Sequence, residues 1–150
     1  MKVYVAGSLF NEAEAAQRKK EGQILRESFP HANIINPIDQ PFNKDKSKLP
    51  TPLDIFISDE KEIIDSDILI ADITNNDSGV MLAIGMAIKS EKKLIIGINS
   101  DIRLKSANKY DIPTYGMNHF VLGAILKYGH LVYSFDEAIE LIKMNLGKDE

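Results

Sequence analysis

Apolar and polar positions alternate along the chain in two patterns. Short runs such as residues 2–6, 67–73 and 93–98 are mostly apolar and rich in β-branched side chains, which is typical of strands buried on both faces. Between them lie longer segments rich in helix formers. The patterns predict strands at 2–6, 32–37, 67–73, 93–98 and 130–134, and helices at 11–29, 53–66, 78–91, 117–129 and 135–146. We expect Gly129 to end the helix before it.

Two of the predicted connections are long. Residues 38–52 hold three prolines and several lysines, and residues 99–116 are mostly polar. Connections longer than about 12 residues are uncommon in compact domains and are often functional. We therefore expect two loops, of which 38–52 is a candidate functional segment.

Strands that alternate with helices predict an α/β fold with a parallel sheet covered on both faces. Five strands favour a flavodoxin-like, doubly wound sheet with strand order 2-1-3-4-5. In such sheets ligands bind beyond the carboxyl ends of the strands, where the strand order reverses. That point lies between the first and third strands, so the segments 6–10 and 72–79 are expected to meet there, with the loop after the fourth strand.

Composition narrows the function. The 150 residues predict one domain, and a net charge of −4 without a long basic run gives little support for binding nucleic acid or a membrane surface. The chain has no cysteine, and its three histidines lack the spacing of metal ligands. No apolar run approaches the roughly 20 residues that span a bilayer. A cytoplasmic protein is the expectation.

Asp59 stands out on the predicted helix 53–66. It lies three residues after Phe56 and four before Ile63, so it falls on or beside the apolar side of the helix. A carboxylate there is unfavourable unless it is paired or functional. The alternative is a position at the rim, where the carboxylate reaches water.

Other candidates follow the strands. Gly7 allows close approach of a ligand to the backbone, and Phe10 either stacks on a planar ligand or closes the core. Tyr4 is a core residue whose hydroxyl can point toward the crevice. Asp77 or Ser78 is expected to cap the helix that follows, and Asn118 is either a helix cap or a ligand for a hydroxyl group.

Four segments together resemble one family. They are VYVAGSLF (3–10), DEKEIIDSDILIAD (59–72), DSGVMLAIGMA (77–87) and MNHFVLGA (117–124). In order and spacing they resemble the nucleoside 2-deoxyribosyltransferases. The resemblance implies transfer of 2-deoxyribose between nucleobases through a covalent deoxyribosyl-glutamate, with retained configuration. It also implies nucleoside and nucleobase as partners, a homo-oligomer (dimer or hexamer) with shared sites, and neither a metal nor an organic cofactor.

The resemblance also assigns roles. Asp59 and Asp77 match aspartates that help to protonate the leaving base and orient the sugar. Asn118, with Met117, resembles residues that a neighbouring subunit delivers to the sugar. The remaining substrate-binding candidates are Tyr4, Gly7, Phe10, Gln40, Ser78 and Gly79.

One position departs from the family pattern. The sequence D-[SV]-G-x-x-x-E-[LI]-G carries the nucleophilic glutamate, but here the corresponding residue is Ala83. A methyl group cannot attack an anomeric carbon, so we expect activity to be abolished or very low. A glutamate-to-alanine variant made to trap substrate is the simplest explanation, and a natural nucleoside-binding protein is the alternative. A related N-glycosidase acting on 2-deoxynucleoside 5′-monophosphates is the other candidate.

Overall fold

A five-stranded parallel sheet runs through the structure, a computed structural model that describes residues 1–90, 94–103 and 116–147. The strands are β1 Lys2–Ala6, β2 Asn33–Ile35, β3 Ile68–Asp72, β4 Leu94–Ile98 and β5 Gly129–Val132. Their order is β2-β1-β3-β4-β5, which confirms the predicted flavodoxin-like arrangement. Ala6 pairs with Ala71, so the ends of β1 and β3 lie side by side.

Helices cover both faces of this sheet. They are α1 Glu12–Ser28, α2 Pro41–Lys44, α3 Pro52–Asp65, α4 Ser78–Lys89, α5 His119–Tyr128 and α6 Phe135–Leu146. Helices α1 and α6 pack on the face that holds Val3 and Val5 of β1. Helices α3, α4 and α5 pack on the opposite face, to which Tyr4 and Ala6 point. Because strand side chains alternate between faces, this register directs Tyr4 toward α3 and α4.

The connection after β1 and α1 differs from the prediction around residues 35–52. The segment 38–52 is not a continuous loop, because a 3-10 turn at Pro37–Asp39 and the short helix α2 occupy part of it. That turn also shortens β2 to three residues. Most of the second predicted loop, residues 104–115, lies outside the described residues.

Gly129 is both the end of α5 and the first residue of β5. Its backbone is extended, with φ of −168°, so conformational freedom is not the reason for glycine. A Cβ atom there would lie 2.0 Å from the carbonyl oxygen of Ile95 in β4. Glycine is needed because the two backbones come so close.

Within the described ranges, none of the helices has the length and apolar character needed to cross a bilayer.

Candidate functional site

A cavity of about 300 Å³ opens between α3 and α4 at the carboxyl ends of β1 and β3. It stands at the low end of the roughly 300–1,000 Å³ typical of small-molecule clefts. Its position is the one expected for ligands in this fold. The predicted site residues that line it are Tyr4, Gly7, Asp59, Asp77, Gly79 and Ala83.

Tyr4 and Asp59 are hydrogen-bonded to each other at the cavity wall. Thr51 and Asp54 form a capping box that starts α3, and Asp59 follows further along the helix, on the side that lines the cavity. Burial, and then the charge of the Asp59 carboxylate and its hydrogen bond, raise the pKa of the Tyr4 hydroxyl. Tyr4 therefore stays protonated and donates.

The Asp59 carboxyl also has a perturbed pKa. Burial raises it, the hydrogen bond from Tyr4 opposes that rise, and the charge of Glu62 adds to it. A carboxyl whose pKa is raised holds its proton at higher pH than a free aspartate, which suits a proton donor. The alternative that Asp59 lies at the rim of the apolar side is partly right, because the residue is half-buried rather than enclosed.

Asp77 is the N-cap of α4. Its Oδ1 accepts a hydrogen bond of 3.0 Å from the backbone N–H of Val80, so Asp77 rather than Ser78 is the cap. The residue also lines the cavity, which makes the capping and the site positions compatible. Ser78 is exposed and does not line the cavity.

Ala83 lies on the cavity wall, six residues after Asp77 along α4. Its methyl group is buried among apolar side chains that include Val80 and Ile84. Among the described residues, the carboxylates that line the cavity are Asp59 and Glu60 of α3 and Asp77 at the start of α4, and no described lysine, arginine or histidine lines it. At position 83 the wall carries only a methyl group.

Gly7 lines the cavity from the end of β1. The space where its Cβ would lie is filled by the buried guanidinium of Arg18, whose Nη1 would be 1.5 Å away. The space of the missing side chain is thus taken by an arginine, and the approach of a ligand to the Gly7 backbone stays a prediction. Phe10 is 79% exposed, which makes the interpretation that it closes the core wrong.

Three comparisons with known proteins bear on this site. A model of the family described as nucleoside 2-deoxyribosyltransferase matches residues 3–141. The chain belongs to the nucleoside 2-deoxyribosyltransferase family. An uncharacterized protein of Ureaplasma parvum is 28% identical over 99% of this chain and 98% of its own length.

Solved structures share the fold of this family member. A conserved protein from Enterococcus faecalis is similar with a TM-score of 0.81 and 24% identity, covering 97% of this chain and 98% of its own. A 2-deoxyribosyltransferase from Bacillus psychrosaccharolyticus is similar with a TM-score of 0.61 and 15% identity, covering 93% and 90%. A CMP N-glycosidase from Clostridium botulinum gives the same TM-score and identity, covering 97% and 99%.

Besides Ser78, four residues predicted from the likeness to 2-deoxyribosyltransferases do not line the cavity within this one chain. Phe10 is exposed, and Gln40 follows the 3-10 turn whose Pro37 lines the cavity. Met117 packs against the apolar cluster of α3, α4 and α5. Asn118 caps α5, with its Oδ1 accepting from Phe120 and Val121.

Other residues that line the cavity were not among the site residues predicted from the sequence. They are Ala6, Leu9, Pro37, Pro52, Ile55, Phe56, Glu60, Ile63, Val80, Leu82 and Met86. Phe56 and Ile63 belong to the same helical spacing that indicated Asp59, so this part of the wall could have been predicted from the sequence. Glu60 carried no such signal. Among the described residues, no group of histidine, cysteine and acidic side chains is placed to hold a metal ion.

Proposed function

We propose that this family member binds a nucleoside in the cavity and that its 2-deoxyribosyl transfer is abolished or very slow. The observation that carries the proposal is Ala83 on the wall of the cavity that Tyr4, Asp59 and Asp77 also line. The binding residues of the pattern are kept, while the position of the nucleophile holds a methyl group.

In the transfer reaction of the family, a glutamate oxygen bonds to the anomeric carbon as the bond to the base breaks. The base leaves with the electron pair of that bond and takes up a proton. A second base then attacks the same carbon and releases the glutamate, so configuration is retained. With alanine at position 83 the first bond cannot form.

The remaining groups keep roles that do not need this nucleophile. The raised pKa of Asp59 supports a part in protonating the leaving base, with Tyr4 holding the carboxyl in place. Asp77 offers its second carboxylate oxygen toward a sugar hydroxyl while the first caps α4. The backbone of Gly79 and the hydroxyl of Ser78 are further candidates for substrate contact.

The lining charges favour a nucleoside over a nucleotide. A 5′-phosphate carries negative charge and is held best by cationic side chains, but the charged groups that the described residues bring to this wall are Asp59, Glu60 and Asp77. The alternative of an N-glycosidase for 2-deoxynucleoside 5′-monophosphates is therefore less favoured. A nucleoside-binding protein without turnover remains the second candidate, supported by Ala83 itself.

We further propose that two copies of the chain associate through the outer side of α3 and α4. Leu53, Ile57 and Leu82 are apolar and each is more than half exposed there. Leu82 also lines the cavity, so a second copy on this surface would cover the entrance. Phe10, Gln40, Met117 and Asn118 lie outside the cavity of their own chain, which fits a site completed by a neighbouring subunit.

Restoring the glutamate tests the transferase assignment. We expect Ala83→Glu to convert deoxyinosine and adenine into deoxyadenosine, because the variant regains a group that can bond to the anomeric carbon. The parent chain should give at most a rate lower by several orders of magnitude, as when a covalent nucleophile is lost. Chromatography of the bases and nucleosides measures both.

Ala83→Gln is the matched control, since it has the same size but cannot form the ester. Exchange by Ala83→Glu alone supports the transferase assignment. If neither the parent chain nor Ala83→Glu exchanges bases while both bind deoxyinosine, a nucleoside-binding protein becomes the better assignment. Release of base from deoxynucleoside 5′-monophosphates but not from nucleosides would favour the N-glycosidase.

A further inference from the structure

Two loops border the cavity, and both are held from the other face of the sheet. We call residues 7–11 the β1 loop and residues 73–77 the β3 loop. The β1 loop contributes Gly7 and Leu9 to the cavity, and the β3 loop contributes Asp77. The two loops leave neighbouring strands at the same edge, so their relative placement determines the shape of this end of the cavity.

Glu14 of α1 bonds to both loops. Its Oε2 accepts from the Ser8 hydroxyl at 2.7 Å and from the Phe10 backbone N–H at 2.9 Å, both in the β1 loop. Its Oε1 accepts from the Asn75 side chain of the β3 loop at 3.1 Å. The bonds from Ser8 and Phe10 lower the pKa of Glu14, so the carboxylate is charged at neutral pH and its hydrogen bonds are charge-assisted.

Arg18 lies one helical turn further along α1, with only 3% of its surface exposed. Its Nη2 donates to Asp72, the last residue of β3, at 2.7 Å, and to Glu21 at 3.0 Å. The second oxygen of Asp72 accepts from the backbone N–H of Thr74, which fixes the start of the β3 loop. The same guanidinium lies against Gly7 and fills the space of a missing side chain.

The hydrogen bonding of Arg18 is incomplete. Its Nε and Nη1 are buried and have no hydrogen-bond partner among the described residues. Buried N–H groups are nearly always paired, and leaving one unpaired destabilises the fold. An arginine kept only for stability is not expected to leave buried N–H groups unpaired. An arginine that must contact both Gly7 and Asp72 is confined to this position.

We propose that Glu14 and Arg18 are positioning residues, which hold the β1 loop and the β3 loop in the relative placement that a nucleoside in the cavity requires. The proposal rests on the proposed nucleoside site. Neither residue lines the cavity, so both act through the loops: Glu14 through Ser8, Phe10 and Asn75, and Arg18 through Gly7 and Asp72.

Amide hydrogen exchange tests the positioning without a ligand. In Glu14→Ala, we expect the Phe10 amide to exchange about tenfold faster, because it loses its charge-assisted hydrogen bond. In Arg18→Lys, we expect the Thr74 amide to exchange about tenfold faster, because its acceptor Asp72 loses the guanidinium that holds it in place. The amides of β4 should keep their parental rates. Glu14→Gln should retain most of the protection, because its amide oxygen still accepts from Ser8 and Phe10.

Matched controls lie on the same helix. Glu12→Ala removes an exposed carboxylate from the same first turn, and Arg26→Lys alters an arginine that pairs with Asp39 at the surface. Calorimetric titration with deoxyinosine is the second measurement. We expect the dissociation constant to rise about tenfold in Glu14→Ala and Arg18→Lys and to stay unchanged in both controls.

The outcomes separate the two proposals. Equal exchange of the Phe10 amide in Glu14→Ala and Glu12→Ala, or of the Thr74 amide in Arg18→Lys and Arg26→Lys, would overturn the positioning role, as would loosened loops with unchanged affinity for deoxyinosine. Faster exchange in β4 as well would indicate a general loss of stability and would also count against it. If the parent chain does not bind deoxyinosine, the nucleoside site fails together with its positioning residues, whereas weak binding in the variants alone leaves that site intact.

Discussion

Asp59, the proposed proton donor, is expected to lower the stability of the fold at neutral pH. Its carboxyl has a higher pKa in the folded chain than the ordinary value of 3.8, chiefly because of burial. An acid whose pKa is raised on folding contributes its full stability below the unfolded pKa and loses it as pH rises through the folded pKa. We therefore expect Asp59→Asn to be more stable than the parent at pH 7, with the difference vanishing toward pH 3.

Urea unfolding at a series of pH values measures this difference, and Asp54 of the same helix is the control. The hydrogen bonds of Thr51 lower the pKa of Asp54, so its contribution is present above the unfolded pKa and is lost as pH falls. Asp54→Asn should accordingly be less stable than the parent at pH 7. Asp59→Asn as the less stable protein at pH 7 would contradict the burial argument.

Predicted site residues at or next to a regular element line the cavity more often than those in irregular segments. Tyr4, Asp59 and Ala83 lie on β1, α3 and α4, and Asp77 is the N-cap of α4. Helical spacing indicated Asp59, whereas the family resemblance indicated Ala83. Phe10 lies in an irregular segment whose path depends on Glu14. No periodic pattern signals that contact or the burial of Arg18, because both arise from tertiary packing.

At the scale of elements, the junction of α5 and β5 depends on one backbone contact. We expect Gly129→Ala to lower the free energy of unfolding by about 2 kcal/mol or more, because the new methyl group would overlap the Ile95 carbonyl oxygen of β4. Chemical denaturation measures the change. The sequence indicated a helix end at Gly129, but the contact with β4 follows only from the pairing of the strands.

Gly123 on the same helix is the control for this substitution. Its missing side chain would meet nothing within 4 Å, so Gly123→Ala should stabilise the chain by roughly 0.5–1 kcal/mol through helix propensity. Equal effects of the two substitutions would mean that β4 and β5 do not approach as closely as described.

At the scale of the whole molecule, the sheet order followed from the sequence because strands such as 67–73 and 93–98 are apolar on both faces and alternate with helices. Right-handed parallel crossovers leave few arrangements for five such strands. The structure of the segment 38–52 was harder to predict from the sequence, since prolines are compatible both with a loop and with the starts of short helices such as α2. The sequence pattern alone does not distinguish the exposed apolar side of α3 and α4 from a side that faces the core. The packing of the two helices makes that distinction.

Association of two copies through that outer side is the prediction at this scale. Ile57 is 55% exposed on α3, and Ile57→Lys should convert a dimer into a monomer, because an ammonium group cannot be buried against an apolar partner surface. Met144 is similarly exposed on α6, at the opposite face of the sheet, so Met144→Lys should leave the assembly unchanged.

Light scattering after gel filtration measures the mass of the assembly, and circular dichroism checks that both variants fold. A parent chain that is already monomeric, or an equal loss of mass in both variants, would rule this interface out. If Ile57→Lys also weakens the binding of deoxyinosine while Met144→Lys does not, the neighbouring subunit completes the site.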